Sequence, residues 1–423
     1  MKFSSYNYIL KDGERFLYYN TNTDGIIALT PDTHNIVKEC LETPDLLQNR
    51  HPKLYEAFSS LKFIVNDIFD EYDELVKELL LKSNTNRSYH LTVNPTMDCN
   101  FRCWYCYEEH NHGSFMNTEI VESVNKLITM IAENPDIDEL VLSFFGGEPL
   151  LYYEQTMSPI IKHAYQICKV KEKQMKIDIT TNGFLLQEAV IKDLLMYSHV
   201  SVQIPIDGSY RFHNKVKFLV DKTETYDVVT SNAVEAIKRG LDVTIRCNYT
   251  LKNIYSFMDL LDAFIPYKKA NNLMFSFHKV WQEPLSPKLK DAFNLIFNKF
   301  IERGFKVYTN TINKVLCYAD YTNSAVVNFN GDIFKCTARN FTREERLGEL
   351  LNNGNIKWNA KSLIRKECKY KSEICSKCKL FPICMQGCSQ NAYENEQQNS
   401  CLLGYSDEYK KELIEQRISY LLK

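Results

Sequence analysis

Long apolar runs are missing from this sequence. None approaches the roughly 20 residues that span a bilayer, so no membrane-embedded segment is expected. An excess of one charge is missing too: 51 Lys and Arg stand against 53 Asp and Glu, a net charge of −2. General nucleic-acid binders and polybasic membrane binders both need a basic surface, and neither partner is expected. No repeat recurs at a fixed period. The opening MKFSSYNYILKDGERF has no apolar segment of the secretory type, so a cytoplasmic location is the expectation.

Cysteine, by contrast, is plentiful, with 14 residues. A chain of 423 residues can build its own core without a disulfide framework. Many thiols in a long chain of ordinary composition, 44% hydrophobic and 25% charged, point to metal or redox chemistry. Their placing is uneven. Cys99, Cys103 and Cys106 form one tight group, and eight more lie between Cys317 and Cys401. Cys40, Cys168 and Cys247 stand alone and read as buried core thiols, since free Cys behaves as a small hydrophobe.

The length predicts two or three domains, at roughly 100–200 residues each. Residues 1–88 read as a small α+β, winged-helix-like domain. Three short strands at 6–10, 16–20 and 25–29 are separated by turn signals, and helical patterns follow at 31–41, 52–61 and 67–81. Residues 89–305 alternate. Strand-like runs at 90–93, 140–144, 176–180, 200–206, 242–248 and 273–277 are interleaved with helical patterns at 118–132, 156–168, 187–196, 231–239, 255–264 and 288–303. Six βα repeats give the fold class, α/β with a partial (β/α)6 barrel, whose chemistry belongs in the loops after the strands. Residues 306–423 form a cysteine-rich C-terminal domain ending in an amphipathic helix over 407–422.

The tight group, Cys99-x3-Cys103-x2-Cys106, follows the first barrel strand. Three thiolates on a four-iron cluster leave one iron without a protein ligand, and an open position turns a metal centre into a substrate site. The alternative is a zinc site completed by His110 or His112. Gly146-Gly147-Glu148-Pro149 follows the next strand. Its glycines let the backbone approach a ligand closely, and a carboxylate beside them can receive an ammonium group. Alone it is also an ordinary turn with Pro starting a helix.

Together these motifs resemble the radical S-adenosylmethionine (SAM) superfamily. The resemblance implies that Cys99, Cys103 and Cys106 ligate a [4Fe–4S] cluster whose open iron binds SAM. It implies that Tyr105 lies along the adenine, and that Gly146, Gly147 and Glu148 receive the methionine ammonium. Thr181-Asn182-Gly183 matches the family's ribose-side turn, and Asp207-Gly208 with His213 matches another recurrent junction. This chain has Pro205 where such relatives often carry Ser, and Lys217 where they often carry Arg. The implied chemistry is reductive cleavage of SAM to a 5′-deoxyadenosyl radical that abstracts hydrogen from a substrate.

The tail runs Cys317-x13-Gly331-x4-Cys336, then Cys375-x2-Cys378-x5-Cys384-x3-Cys388, then Cys401. Zinc ribbons are one reading of the CxxC alone. The whole arrangement resembles the SPASM extension of radical SAM enzymes, which implies two auxiliary clusters and three [4Fe–4S] clusters in all. By position Cys375, Cys378, Cys384 and Cys401 ligate the distal one, and Cys317, Cys336 and Cys388 the proximal one. Thr311 stands where several relatives have a further ligand, and Cys368 is the alternative.

Such enzymes mostly modify peptides. Sulfatase-maturing relatives, which form formylglycine, place an Asp after the Cys of the Gly-x4-Cys element, whereas this chain has Thr337. About ninety residues precede Cys99, patterned like a precursor-recognition domain able to bind a leader by strand addition. The expectation is therefore a peptide maturase that forms a thioether or carbon–carbon crosslink. Its partners would be a precursor peptide held by its leader and a flavodoxin- or ferredoxin-like electron donor. A sulfatase-maturase-like enzyme is the alternative, and a non-catalytic iron–sulfur scaffold the alternative of another class. No catalytic acid or base is assigned.

Overall fold

The computed structural model describes residues 1–284, 286–308, 314–385, 387–395 and 400–422. Thr311 lies outside the described residues. The chain forms two units, each discontinuous in sequence. The first comprises Met1–Thr85, Asn310–Thr322 and Lys361–Lys423, the second Asn86–Thr309 and Asn323–Ala360. The cysteine-rich tail therefore contributes to both.

In the first unit, β1 (Lys2–Phe3), β2 (Asn7–Asp12), β3 (Arg15–Asn20), β4 (Ile26–Leu29) and β5 (Ile64–Val65) make two small antiparallel sheets, β1-β5 and β2-β3-β4. Turn residues between alternating apolar runs set the β2-β3 and β3-β4 hairpins. Helices follow at Pro31–Glu39, Asp45–Arg50, Pro52–Ser60 and Glu71–Asn84. Thr30 caps the first through its side chain, with Pro31 in the first turn, the two signals expected of a helix start. Tyr18, Phe58 and Phe63 close one core. The C-terminal helix Asp407–Leu421 buries Leu413, Ile414 and Ile418 with Leu17, Tyr19, Leu380 and Ile383. Arg417 and Lys314 both reach the Asp24 carboxylate, at 2.9 and 3.1 Å.

The second unit carries the barrel. Its strands are β6 (Ser88–Val93), β7 (Glu139–Phe144), β8 (Gln174–Thr180), β9 (Val200–Pro205), β10 (Asp242–Tyr249) and β11 (Leu273–Lys279). They pair in parallel in consecutive order. Helices Thr118–Glu133, Ser158–Val170, Glu188–Leu194 and Tyr226–Arg239 make the crossovers, and Pro287–Glu302 follows the last strand. The helical pattern at 255–264 is instead broken into Ile254–Ser256, Phe257–Leu260 and Leu261–Ala263. Its apolar spacing still buries Ile254, Phe257, Leu260, Leu261 and Phe264, but Ile265 precedes Pro266, a position that disfavours continued helix. Cys168 and Cys247 are buried in the barrel core and Cys40 in the first unit, as the isolated thiols were read.

The sheet does not stop at β6. Four short strands, β12 (Ser324–Val327), β13 (Asp332–Phe334), β14 (Gly348–Leu350) and β15 (Ile356–Trp358), extend it to ten. β12 pairs in parallel with β6, Ala325 opposite Leu91. At three or four residues each, these strands are too short to show a period. No described helix is long and apolar enough to cross a membrane.

Candidate active site

The loops after the parallel strands converge on one cavity that is open to solvent. Its wall includes Cys99, Cys103, Tyr105 and Cys106 after β6, Gly146 and Gly147 after β7, and Thr181 and Asn182 after β8. Arg246 and Asn248 of β10, Lys279 of β11 and the following Trp281 complete it. The structure thus brings together every residue expected around the first cluster and SAM, except that Glu148 is not in the wall.

Packing explains both glycines. A Cβ on Gly147 would lie 2.1 Å from the Asp98 carbonyl oxygen, and one on Gly146 2.5 Å from that of Thr96, with Gly146 at φ +102°. The backbone there is bonded to the segment leading into Cys99: Gly147 N donates to Thr96 O at 3.0 Å and Glu148 N to Asp98 O at 2.8 Å. Any side chain on Gly147 would displace the thiol loop.

Glu148 is fully buried and its carboxylate is committed to protein donors. Oε1 accepts from Thr181 Oγ1 at 2.6 Å and Leu150 N at 3.0 Å, and Oε2 from Asn182 N at 2.7 Å. Burial pushes its carboxyl up to about 7 against these three donors. Asn182, so held, donates to Asn100 Oδ1 at 2.7 Å. Glu148 therefore ties the turn after β8 to the turn after β7, and through Asn182 to the thiol loop.

A buried cation faces the thiols. Lys217 Nζ lies 3.6 Å from Cys103 Sγ and 4.0 Å from Asp207 Oδ2. Burial works against its charge, but Cys103, Tyr105 and Asp207 outweigh it and raise its pKa. Tyr105 OH donates to Asp207 Oδ2 at 2.6 Å and accepts from Asn248 Nδ2 at 3.1 Å, which fixes its ring in the wall. Burial raises the thiols of Cys99 and Cys103 and pushes that of Cys106 up to about 11. The positive charge of Lys217 opposes this at Cys103. Among the described residues, no three His, Cys, Asp or Glu side chains converge as a single ion requires. Thiols spaced around a shared cavity suit a multi-iron cluster, which is larger than one ion, and iron supplies the positive charge that holds a buried thiol deprotonated. His110 lines the cavity, while His112 bonds Asp98 at 3.0 Å.

Sequence reading missed Glu108, Arg246 and Lys279. Glu108 lines the cavity, is 8% exposed, and has one carboxylate oxygen with no partner among the described residues. Burial pushes its carboxyl up to about 8. Arg246 Nε donates to Asn248 Oδ1 at 3.0 Å. The available signal was position: residues at the C-terminal ends of β10 and β11, with 246 and 248 on one face of a strand. Tyr107 stands beside Trp281 and its OH donates to the backbone O of Thr337 at 3.0 Å.

In the first unit, Cys375, Cys378, Cys384 and Cys401 line one small pocket with Leu380, Phe381, Leu402 and Tyr405. These are the four thiols that the SPASM resemblance groups around one cluster. Cys317 and Cys388 belong to the first unit and Cys336 to the second. Cys368 is half-buried, and its thiol donates to Arg365 O at 3.4 Å.

Residues 93–262 match the family model described as Radical SAM superfamily. The chain is 23% identical over 367 residues to the cysteine-type anaerobic sulfatase-maturating enzyme of Clostridium perfringens, covering 76% of this chain and 94% of that protein. It is 23% identical over 360 residues to the radical SAM cyclopropyl synthase TigE of Paramaledivibacter caminithermalis, covering 72% and 74%. The crystal structure of Streptococcus suis SuiB bound to precursor peptide SuiA matches with a TM-score of 0.55 at 15% identity, over 96% of this chain and 99% of that one. This last likeness concerns the fold.

Proposed function

We propose that this chain, whose residues 93–262 match the radical SAM family model, is a maturase that modifies a precursor peptide by forming an intramolecular crosslink. The observation that carries the reading is the single cavity at the strand ends, where three thiols, the Gly146–Gly147 backbone and the Thr181–Asn182 turn share one wall. Cys99, Cys103 and Cys106 would hold a [4Fe–4S] cluster, with Tyr105, Gly146, Gly147, Thr181 and Asn182 around SAM. Bound there, the cluster and SAM supply one-electron reductive cleavage and a hydrogen-abstracting carbon radical.

The chain's own residues supply placement and shelter. Glu148 acts through Thr181 and Asn182 as a positioning residue. Lys217 favours the thiolate of Cys103, the form that ligates metal. Asp207 and Asn248 fix Tyr105. Tyr107 and Trp281 wall the mouth, and Glu108, Arg246 and Lys279 offer polar contacts to a peptide segment entering the cavity. Cys375, Cys378, Cys384 and Cys401 would hold one auxiliary cluster. The sheet β2-β3-β4 has an outer edge on β2 and on β4 to which an extended leader can add as a strand. SuiB, solved with its precursor peptide, supports a peptide substrate.

A second reading, conversion of a sulfatase cysteine to formylglycine, is favoured by the similarity to the Clostridium perfringens enzyme over most of both chains. Thr337, directly after Cys336, speaks against it, because it offers no carboxylate where that reading needs a base. One experiment decides. The reconstituted enzyme is given dithionite, SAM and a candidate precursor, and the peptide is weighed. Loss of two hydrogens with sulfur retained is the expected result. Loss of the cysteine sulfur selects formylglycine. Absence of 5′-deoxyadenosine from fully metallated protein rejects both.

A further inference from the structure

We propose that Arg246 and Lys279 form an anion subsite in the candidate active-site cavity, one that receives a carboxylate of the precursor peptide. The proposal deepens the functional reading above and rests on it, because it takes a peptide segment to enter there.

The charge in the cavity wall is one-sided. Lys217, Arg246 and Lys279 stand against a single carboxyl, Glu108, among the described residues. Lys217 is matched by Asp207 and by the sulfur of Cys103. The other two cations have no such match. Arg246 donates from Nε to the neutral amide oxygen of Asn248 at 3.0 Å. Lys279 donates from Nζ to two backbone carbonyls, that of Val280 at 3.1 Å and that of Glu283. Neither makes an ion pair among the described residues. Burial lowers the pKa of Arg246 against the pull of Tyr107, Tyr105 and Asp207, and its charge helps to hold His278 neutral. A half-buried guanidinium in this state is short of a counter-charge, and burying a cation without one is costly.

The cofactors do not supply that charge. The residues proposed around the first cluster and SAM follow β6, β7 and β8, whereas Arg246 and Lys279 belong to β10 and β11, at the other end of the six parallel strands. SAM carries one carboxylate against one ammonium and one sulfonium, so it adds positive charge overall. A carboxylate on the peptide is the missing partner. The planar guanidinium can hold both its oxygens at once, and the ammonium adds a third charged donor. The approach is prepared as well. Trp281 is exposed at the mouth, with Tyr107 beside it and the Arg339 guanidinium 5.9 Å from its ring. Positive charge thus runs from the entrance to the wall and draws an acidic segment inward. The carboxylate can belong to Asp or Glu or to the peptide's own C-terminus, and the two sources are separable.

The test uses the full-length reconstituted enzyme with SAM. The probes are pools of acetylated, amidated hexapeptides of Gly, Ala and Cys, with a single Asp, Asn or Lys at a varied position. A further pool is neutral in its side chains and has a free C-terminus. Retention is measured by affinity selection and mass spectrometry, and SAM affinity by equilibrium dialysis. The Asp pool should be retained about tenfold or more above the Asn pool, the Lys pool least, and the advantage should shrink as salt rises. The same advantage in the free C-terminus pool alone assigns the subsite to the terminal carboxylate. In Arg246→Gln and in Lys279→Gln the advantage should fall toward the Asn level, with iron content and SAM affinity unchanged, and Arg246→Lys should restore part of it. Equal retention of all pools by wild type overturns the proposal. So does an advantage that survives both Gln variants. A loss of SAM affinity in Arg246→Gln that matches the loss of peptide also overturns it, by giving that cation to the carboxylate of SAM. If Arg246→Gln takes up no iron, Arg246→Lys and Lys279→Gln decide. Absence of 5′-deoxyadenosine with dithionite rejects the functional reading instead, and the binding comparison is read independently of it.

Discussion

Glu148→Gln separates a clamp from a cofactor ligand. The native carboxylate accepts three hydrogen bonds, two of them from the backbone N–H groups of Leu150 and Asn182, one on each oxygen. Glutamine offers one acceptor and one donor group. Whichever way its amide lies, a backbone N–H faces another N–H where no water reaches. Leaving one buried donor unsatisfied costs about 1–3 kcal/mol, which opens the segment roughly 5- to 150-fold more often. Hydrogen exchange at the Leu150 and Asn182 amides reads this directly. Acceleration by that factor is expected at one of them, together with weaker SAM binding by the reconstituted protein. Thr181→Val removes the remaining donor at 2.6 Å. Because both changes break one network, the double variant should lose less than the sum of the two single losses. Unchanged exchange at both amides alongside lost SAM binding would put the carboxylate on the cofactor and refute the clamp.

Gly147→Ala places a Cβ 2.1 Å from the Asp98 carbonyl oxygen. Overpacking of this kind costs about 1–3 kcal/mol, and iron uptake by the three-thiol loop should fall, as read by iron assay and visible absorbance. Tyr105→Phe deletes the bond to Asp207. A hydrogen bond to a charged partner is worth about 1.5–3 kcal/mol, and SAM affinity should drop with the protein still folded by circular dichroism. His278 is pushed down to about 4 by burial and, after that, by Arg246. Its contribution is fully present above its unfolded value of about 6.5 and is lost as pH falls from there toward 4, about 3 kcal/mol at most. His278→Asn should flatten that limb, measured as urea midpoints at pH 7 and pH 5. Cys384→Ala should lower bound iron by about four per chain, and undiminished iron would count against a cluster in the first unit's cavity.

The barrel was readable because its strands are six short apolar runs that alternate with helices of clear period. β6 to β11 fall within two residues of the runs that named them. The cavity was readable where chemistry imposes spacing, at Cys99, Cys103 and Cys106 and the paired glycines, whereas the grouping of the first unit's four thiols came with the SPASM resemblance. What escaped was set by tertiary placement. Glu108 looks like any surface acid until the fold encloses it, and Arg246 like any strand charge until β10 aims it at the cavity. β12 to β15 are too short to announce themselves, so the tail read as one block, whereas its segments join two different cores. Glu148 shows the opposite case. Its residue type was readable, yet its bonding follows from the turns after β7 and β8 meeting.

The parallel pairing of β12 with β6 also sets an order of events during synthesis. β6 leaves the ribosome with residues 88–93, but one of its edges finds no partner until Ser324–Val327 has been made. The first unit waits longer still, because Tyr8 and Asp24 bond Glu415 and Arg417 of the last helix. Pairing across such separations is slow, and unpaired edges invite aggregation. The strand that delivers the Cys99 loop thus stays half-finished for most of translation. Metal loading before release would act on an incomplete sheet, so iron insertion after completion of the chain is the order this topology favours.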